Sequence, residues 1–147
     1  MRPRSITIFH RLLIAVMVIS LVQTAISWTS SQDILQADPA TRMFGSWWFL
    51  IGVSLISYGI YALIWFRIVA RASNAARWIF TVLTVLSVVS VPLNLANAVS
   101  GLISPLTAIL MLASALVQLA ALVCLFLPDA RRWFANKGVM ADPLVFE

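Results

Sequence analysis

The chain alternates between long apolar runs and short polar punctuation. Apolar runs cover about 12–28 (extended to a span of about 7–28), 44–66, 78–99 and 105–127. A helix needs about 20 residues to cross a hydrocarbon core about 30 Å thick. The last three runs reach that length outright. The first reaches it by extending back through Ile6, Ile8 and Phe9, with Arg11 stretching out to the headgroups. Beyond Arg11, no run holds Asp, Glu, Lys or Arg in its interior. Backbone groups at that depth find no water to bond, so each run is predicted to be helical. The fold class predicted is all-α: one domain over 1–147, an integral membrane bundle of four transmembrane helices with both termini cytoplasmic.

The boundaries carry helix chemistry. In "ADPATR", Asp38 is expected as the N-cap of the second span and Pro39 as its first helical residue. Ser104 and Pro105 repeat this pattern before the fourth span, and Gly101 follows the third. "SSQD" at 30–33 suggests a separate turn of helix in the first loop, lying on the membrane. Residues 1–27 also have the form of a signal peptide, with a basic start and "AIS" at 25–27. The expectation adopted is a retained first helix.

Polar residues inside the spans fall on stripes at helical spacing. Ser20, Gln23, Thr24 and Ser27 share one face of the first span. Ser87, Ser90, Asn94 and Asn97 share one face of the third, and Ser104, Thr107, Ser114 and Gln118 one face of the fourth. The second span has two stripes, with Gly45, Gly52 and Gly59 opposite Ser54, Ser57, Tyr58 and Tyr61. Lipid tails cannot hydrogen-bond, so the polar stripes should face other helices, and the glycines form a close-packing seam. Pro92 removes a backbone donor within the third span and is expected to bend it.

Composition agrees with this pattern. The chain is 62% hydrophobic and only 10% charged, whereas a soluble domain is about 25% charged. Charge placement adds orientation. Arg2, Arg4 and Arg11 precede the first span; Arg67, Arg71 and Arg77 lie between the second and third; Arg131, Arg132 and Lys137 follow the fourth. Only Arg42 lies on the other side. This bias puts both termini in the cytoplasm, in a multi-pass protein of the cell inner (plasma) membrane, and argues against dual topology. Anionic headgroups on that side are the expected partners of the basic collar. Nucleic acid is not, because three short segments make no extended surface. Trp28, Trp47 and Trp48 mark the outer interface and Trp65, Trp78 and Trp133 the inner one.

Reactive constellations are missing from the sequence. The single Cys124 and single His10 exclude a disulfide within the chain, a Cys pair for redox work and a His-rich metal site. No ionisable residue sits deep in a span, against proton-coupled export through an embedded Glu. Asp129 and Asp142 stand isolated among basic residues, and Asp33 and Asp38 make a weak cation signal. No cofactor, metal or catalytic residue is expected, and no enzymatic activity.

The ending "LFLPDARRWF" at 125–134, with the basic start and four spans, resembles small uncharacterised four-helix inner-membrane proteins of bacteria. That resemblance concerns architecture and implies no ligand or catalytic residue. Two functional classes remain open. The first is an accessory, scaffold or assembly subunit acting through helix–helix contacts, as a homo-oligomer or with a larger membrane partner. The second is a channel or facilitator for a small neutral or anionic solute, lined by Asn94, Asn97, Gln23 and Gln118. "NAARWIF" at 74–80 and "DARRWFA" at 129–135 look alike, but one enters the membrane and the other leaves it. The second is therefore predicted to lie flat as a short interfacial helix over 129–137, with Trp133 and Phe134 dipping into lipid.

Overall fold

The computed structural model describes residues 3–101 and 103–137; Arg2 and Asp142 lie outside them. Five α-helices follow in order: α1 (Arg4–Ala37), α2 (Trp47–Arg71), α3 (Asn74–Val99), α4 (Pro105–Phe126) and α5 (Pro128–Ala135). A 3-10 turn, Arg42–Gly45, joins α1 to α2. No strand occurs among the described residues. The first four helices are long and apolar enough to cross a membrane. They form a bundle in which α1 packs most extensively on α4, α3 packs on α4, and α2 rests more lightly on α3 and α1.

The helices outrun the apolar runs at several ends. α1 is one helix of 34 residues, about 50 Å at 1.5 Å per residue. The separate turn expected at residues 30–33 is simply its continuation. Asp38 does not cap α2. Its Oδ1 instead accepts from the Ala40 amide at 2.9 Å and closes the chain just beyond α1. Ser46 holds the N-cap position of α2. At the opposite end, α2 and α3 extend through the arginines to leave only Ala72 and Ser73 between them. Ala72 takes a left-handed conformation, φ 45°, and the Ser73 side chain accepts from the Ala76 amide, capping α3. Pro92 is carried inside a continuous α3. Pro105 starts α4 as expected, because its missing N–H lies where no helical bond is needed.

Packing is uneven along the bundle. The core gathers Phe9, Leu13, Ile68, Phe80 and Leu125, all fully enclosed, at the end carrying Arg4, the α2–α3 connection and α5, here termed the basic end. Phe9 and Phe80 meet edge to face with centroids 5.4 Å apart. Beyond Val16 of α1 and Thr84 of α3, neither helix buries another residue. Only α4 stays enclosed along its length, through Ala108, Ser114, Ala115 and Gln118.

α5 corrects the expectation for the C-terminal segment. It does form after Pro128, but Trp133 and Phe134 are 6% and 7% exposed and belong to the core. They seal the basic end instead of dipping into lipid. Protein supplies the apolar cover because the turn at Leu127 and Pro128 folds α5 back beneath α1 and α4.

Candidate functional site

The polar stripes of three helices meet in the middle of the bundle. A cavity of about 220 Å³ lies between α1, α3 and α4. α1 contributes Ser20 and Gln23, α3 contributes Ser87, Ser90 and Asn94, and α4 contributes Ser114 and Gln118. Helical spacing explains the convergence. Steps of three and four residues keep each set on one face, and each face turns towards helices that can bond it. Three of the four residues expected to share a polar lining, Gln23, Asn94 and Gln118, are brought together here. Asn97 is half-buried on the same helix as Asn94 but does not line the cavity.

Gln118 is the least satisfied of these groups. It is 6% exposed. Its Nε2 donates to Ser114 Oγ at a long 3.4 Å, and its Oε1 has no hydrogen-bond partner. Thr84 Oγ1, one turn from Ser87 towards the basic end, is also buried without a partner. A buried polar atom left unpaired costs about 1–3 kcal/mol, and both atoms are closed off behind the cavity lining. No Lys, Arg, His, Asp or Glu lines the cavity.

A second cavity, about 280 Å³, lies between α1 and α4 towards the opposite end. Ser27, Ser30 and Ser31 of α1 face Ser104 and Thr107 there, and Met111 lines both cavities. Sequence reasoning found the stripes but missed Met111, whose apolar side chain gives no polar signal.

The glycines are arranged differently from the predicted seam. Gly45 lies in the 3-10 turn and not on α2. It packs against the end of α1, where Gln36 Nε2 donates to its carbonyl at 3.0 Å. Gly52 and Gly59 have no atom within 4 Å of where a side chain would begin. The opposite face of α2 makes the contacts: Tyr58 and Thr24 share a hydrogen bond at 3.0 Å, and Tyr61 packs on the core. The bond to Thr24 turns Tyr58 towards α1 and leaves the glycines of α2 outward. Enclosed small residues seven apart do occur on α4, where Ala108 and Ala115 are one such pair and Ser114 and Ala121 another.

Among the expected interfacial residues, Arg67, Arg71, Trp78, Arg131 and Arg132 are exposed, and Arg77 is half-buried. Trp47 and Trp48, the first two residues of α2, are exposed. Trp65 turns inward, its Nε1 donating to His10 Nδ1 at 2.8 Å. Asp129 also has a specific task. Its Oδ2 accepts from the Ser5 amide at 3.2 Å. Burial works against its ionisation, but hydrogen bonding from Ser5 and from the α5 backbone outweighs this and holds the carboxyl below its usual range.

Among the described residues, no cluster of His, Cys, Asp or Glu could hold a metal ion. Comparison with protein-family models, curated proteins and solved structures finds no match.

Proposed function

We propose that this chain is a non-catalytic, multi-pass membrane protein that accommodates a small uncharged polar solute within its bundle, as a facilitator or binding protein. Its termini face the cytoplasm and its membrane is the bacterial inner membrane. The orientation rests on the basic bias of the loops. The observation that carries the solute reading is the convergence of Ser20, Gln23, Ser87, Asn94 and Ser114 from three helices on one cavity. An uncharged ligand suits the lining, because an ion there would lose its water without gaining a counter-charge. Stopped-flow flux of glycerol and urea into proteoliposomes tests the reading. Gln118→Leu and Asn94→Leu should each lower the protein-dependent flux several-fold. Equal flux with and without protein, together with no binding of either solute, would sink it.

A second reading keeps one observation of its own. The outward, unobstructed Gly52 and Gly59 of α2 would let another helix approach closely, as an accessory or assembly subunit requires.

A further inference from the structure

The basic end holds an arginine whose surroundings the solute reading leaves unused. Arg77 stands in the first turn of α3, where its guanidinium carbon lies 4.7 Å from the Phe126 ring centroid and 5.2 Å from that of Phe134. The ring of Trp78 is 5.7 Å away. Three rings from α3, α4 and α5 therefore confine one guanidinium. Its Nε is buried and has no hydrogen-bond partner. Arg131, exposed on α5 one turn before Phe134, adds a second positive charge on the same side of that helix. Holding two like charges together beside apolar rings is unfavourable unless an anion neutralises them. The rings satisfy part of the guanidinium through their faces, worth about 0.5–2 kcal/mol, but they supply no negative charge.

We infer that Arg77 and Arg131 form a phosphate site at the junction of α3, α4 and α5, with Phe126 and Phe134 as its walls. A phosphate meets each requirement. It carries negative charge, and its oxygens accept from a planar guanidinium in a paired geometry that an ammonium cannot reproduce. The acyl chains of a phospholipid would lie along the neighbouring apolar face of Trp78, Ile79 and Val82, all exposed. The fold-back of α5 creates the site, since it delivers both Arg131 and Phe134. Sequence alone marks these arginines only as members of a general basic collar.

Native mass spectrometry of protein released from nanodiscs containing phosphatidylglycerol reads the site directly. Wild-type protein should retain one phospholipid per chain. Arg77→Gln should abolish that retention, and Arg77→Lys, which keeps the charge but loses the planar fork, should reduce it at least tenfold. Arg131→Gln should weaken it, while Arg67→Gln, on exposed α2, should leave it unchanged. Inorganic phosphate at millimolar concentration distinguishes the sources: displacement of the lipid marks a site for free phosphate, and persistence marks a headgroup site. Thermal unfolding of each variant separates loss of binding from loss of fold. Undiminished retention in folded Arg77→Gln, or equal losses in Arg77→Gln and Arg67→Gln, overturns the inference.

Discussion

The amide of Ser5 donates to the carboxylate of Asp129 at 3.2 Å, across 124 positions of sequence. One short helix thus caps the first turn of the longest one. Asp129 also stands in the first turn of α5, where a negative charge favours that helix as well. A single carboxylate serves two helix starts.

Asp129→Asn keeps an acceptor for the Ser5 amide but removes the charge, so it should weaken the attachment of α5 to α1 by about 0.3–1 kcal/mol. The pH dependence follows from the depressed pKa. Stabilisation is complete above the ordinary carboxylate value of about 3.9 and disappears as pH falls through the lower folded value. Hydrogen exchange of the α5 amides should accelerate in acid for the wild type. The Asn variant should show fast exchange already at neutral pH and no further acid step from this group.

Gly45→Ala should destabilise the α1–α2 connection. The added carbon would lie 2.8 Å from Gln36 Cγ and 3.1 Å from Leu35 Cβ. Overpacking of this kind costs about 1–3 kcal/mol. Limited proteolysis between Asp38 and Ser46 should speed up several-fold, while Gly52→Ala, which meets open space, should behave as wild type.

Phe80→Ala should be among the most damaging core truncations, because the ring is fully enclosed and packs on Phe9. Removing such a ring costs about 3–5 kcal/mol. Val89, 69% exposed on the same helix, provides the contrast, and Val89→Ala should shift stability by less than about 0.5 kcal/mol. Titration with sodium dodecyl sulfate, followed by circular dichroism, compares the two.

The outward face of α2 gives a prediction specific to the assembly reading. Gly52→Leu combined with Gly59→Leu should leave the monomer's stability unchanged, since neither position is obstructed. If helices associate there, the double variant should lose crosslinked dimers and show a smaller mass in light scattering. Unchanged crosslinking and mass would remove that reading.

Much of the architecture was legible because apolar runs of this length leave the backbone few options besides a helix. The cavity lining was legible for a related reason: Gln23, Asn94 and Gln118 lie on stripes that helical periodicity makes visible. The helix ends were not. Arg67 and Arg71 read as loop residues by charge, yet α2 keeps its hydrogen bonds through both and ends at the left-handed Ala72. Ser73 was the available signal, a cap immediately before Asn74. The destination of Trp133 was hidden because an amphipathic helix of eight residues can turn the same face to lipid or to protein. Only the fold-back at Leu127 and Pro128 decides between them. The stripe of Gly52 and Gly59 is not used within the chain because small residues permit close packing without requiring it, and the bond between Tyr58 and Thr24 turns the other face of α2 inward.

The concentration of core residues at the basic end has a mechanical consequence. Helices anchored at one end can splay like spokes from a hub, because separating their free ends breaks few apolar contacts. The spacing of the helices around the two cavities is then governed by the tethers at the open rim. One is the Asp38–Ser46 stretch, cinched by Gln36 on Gly45. Lengthening it should let the far ends of α1 and α2 part while leaving the hub intact.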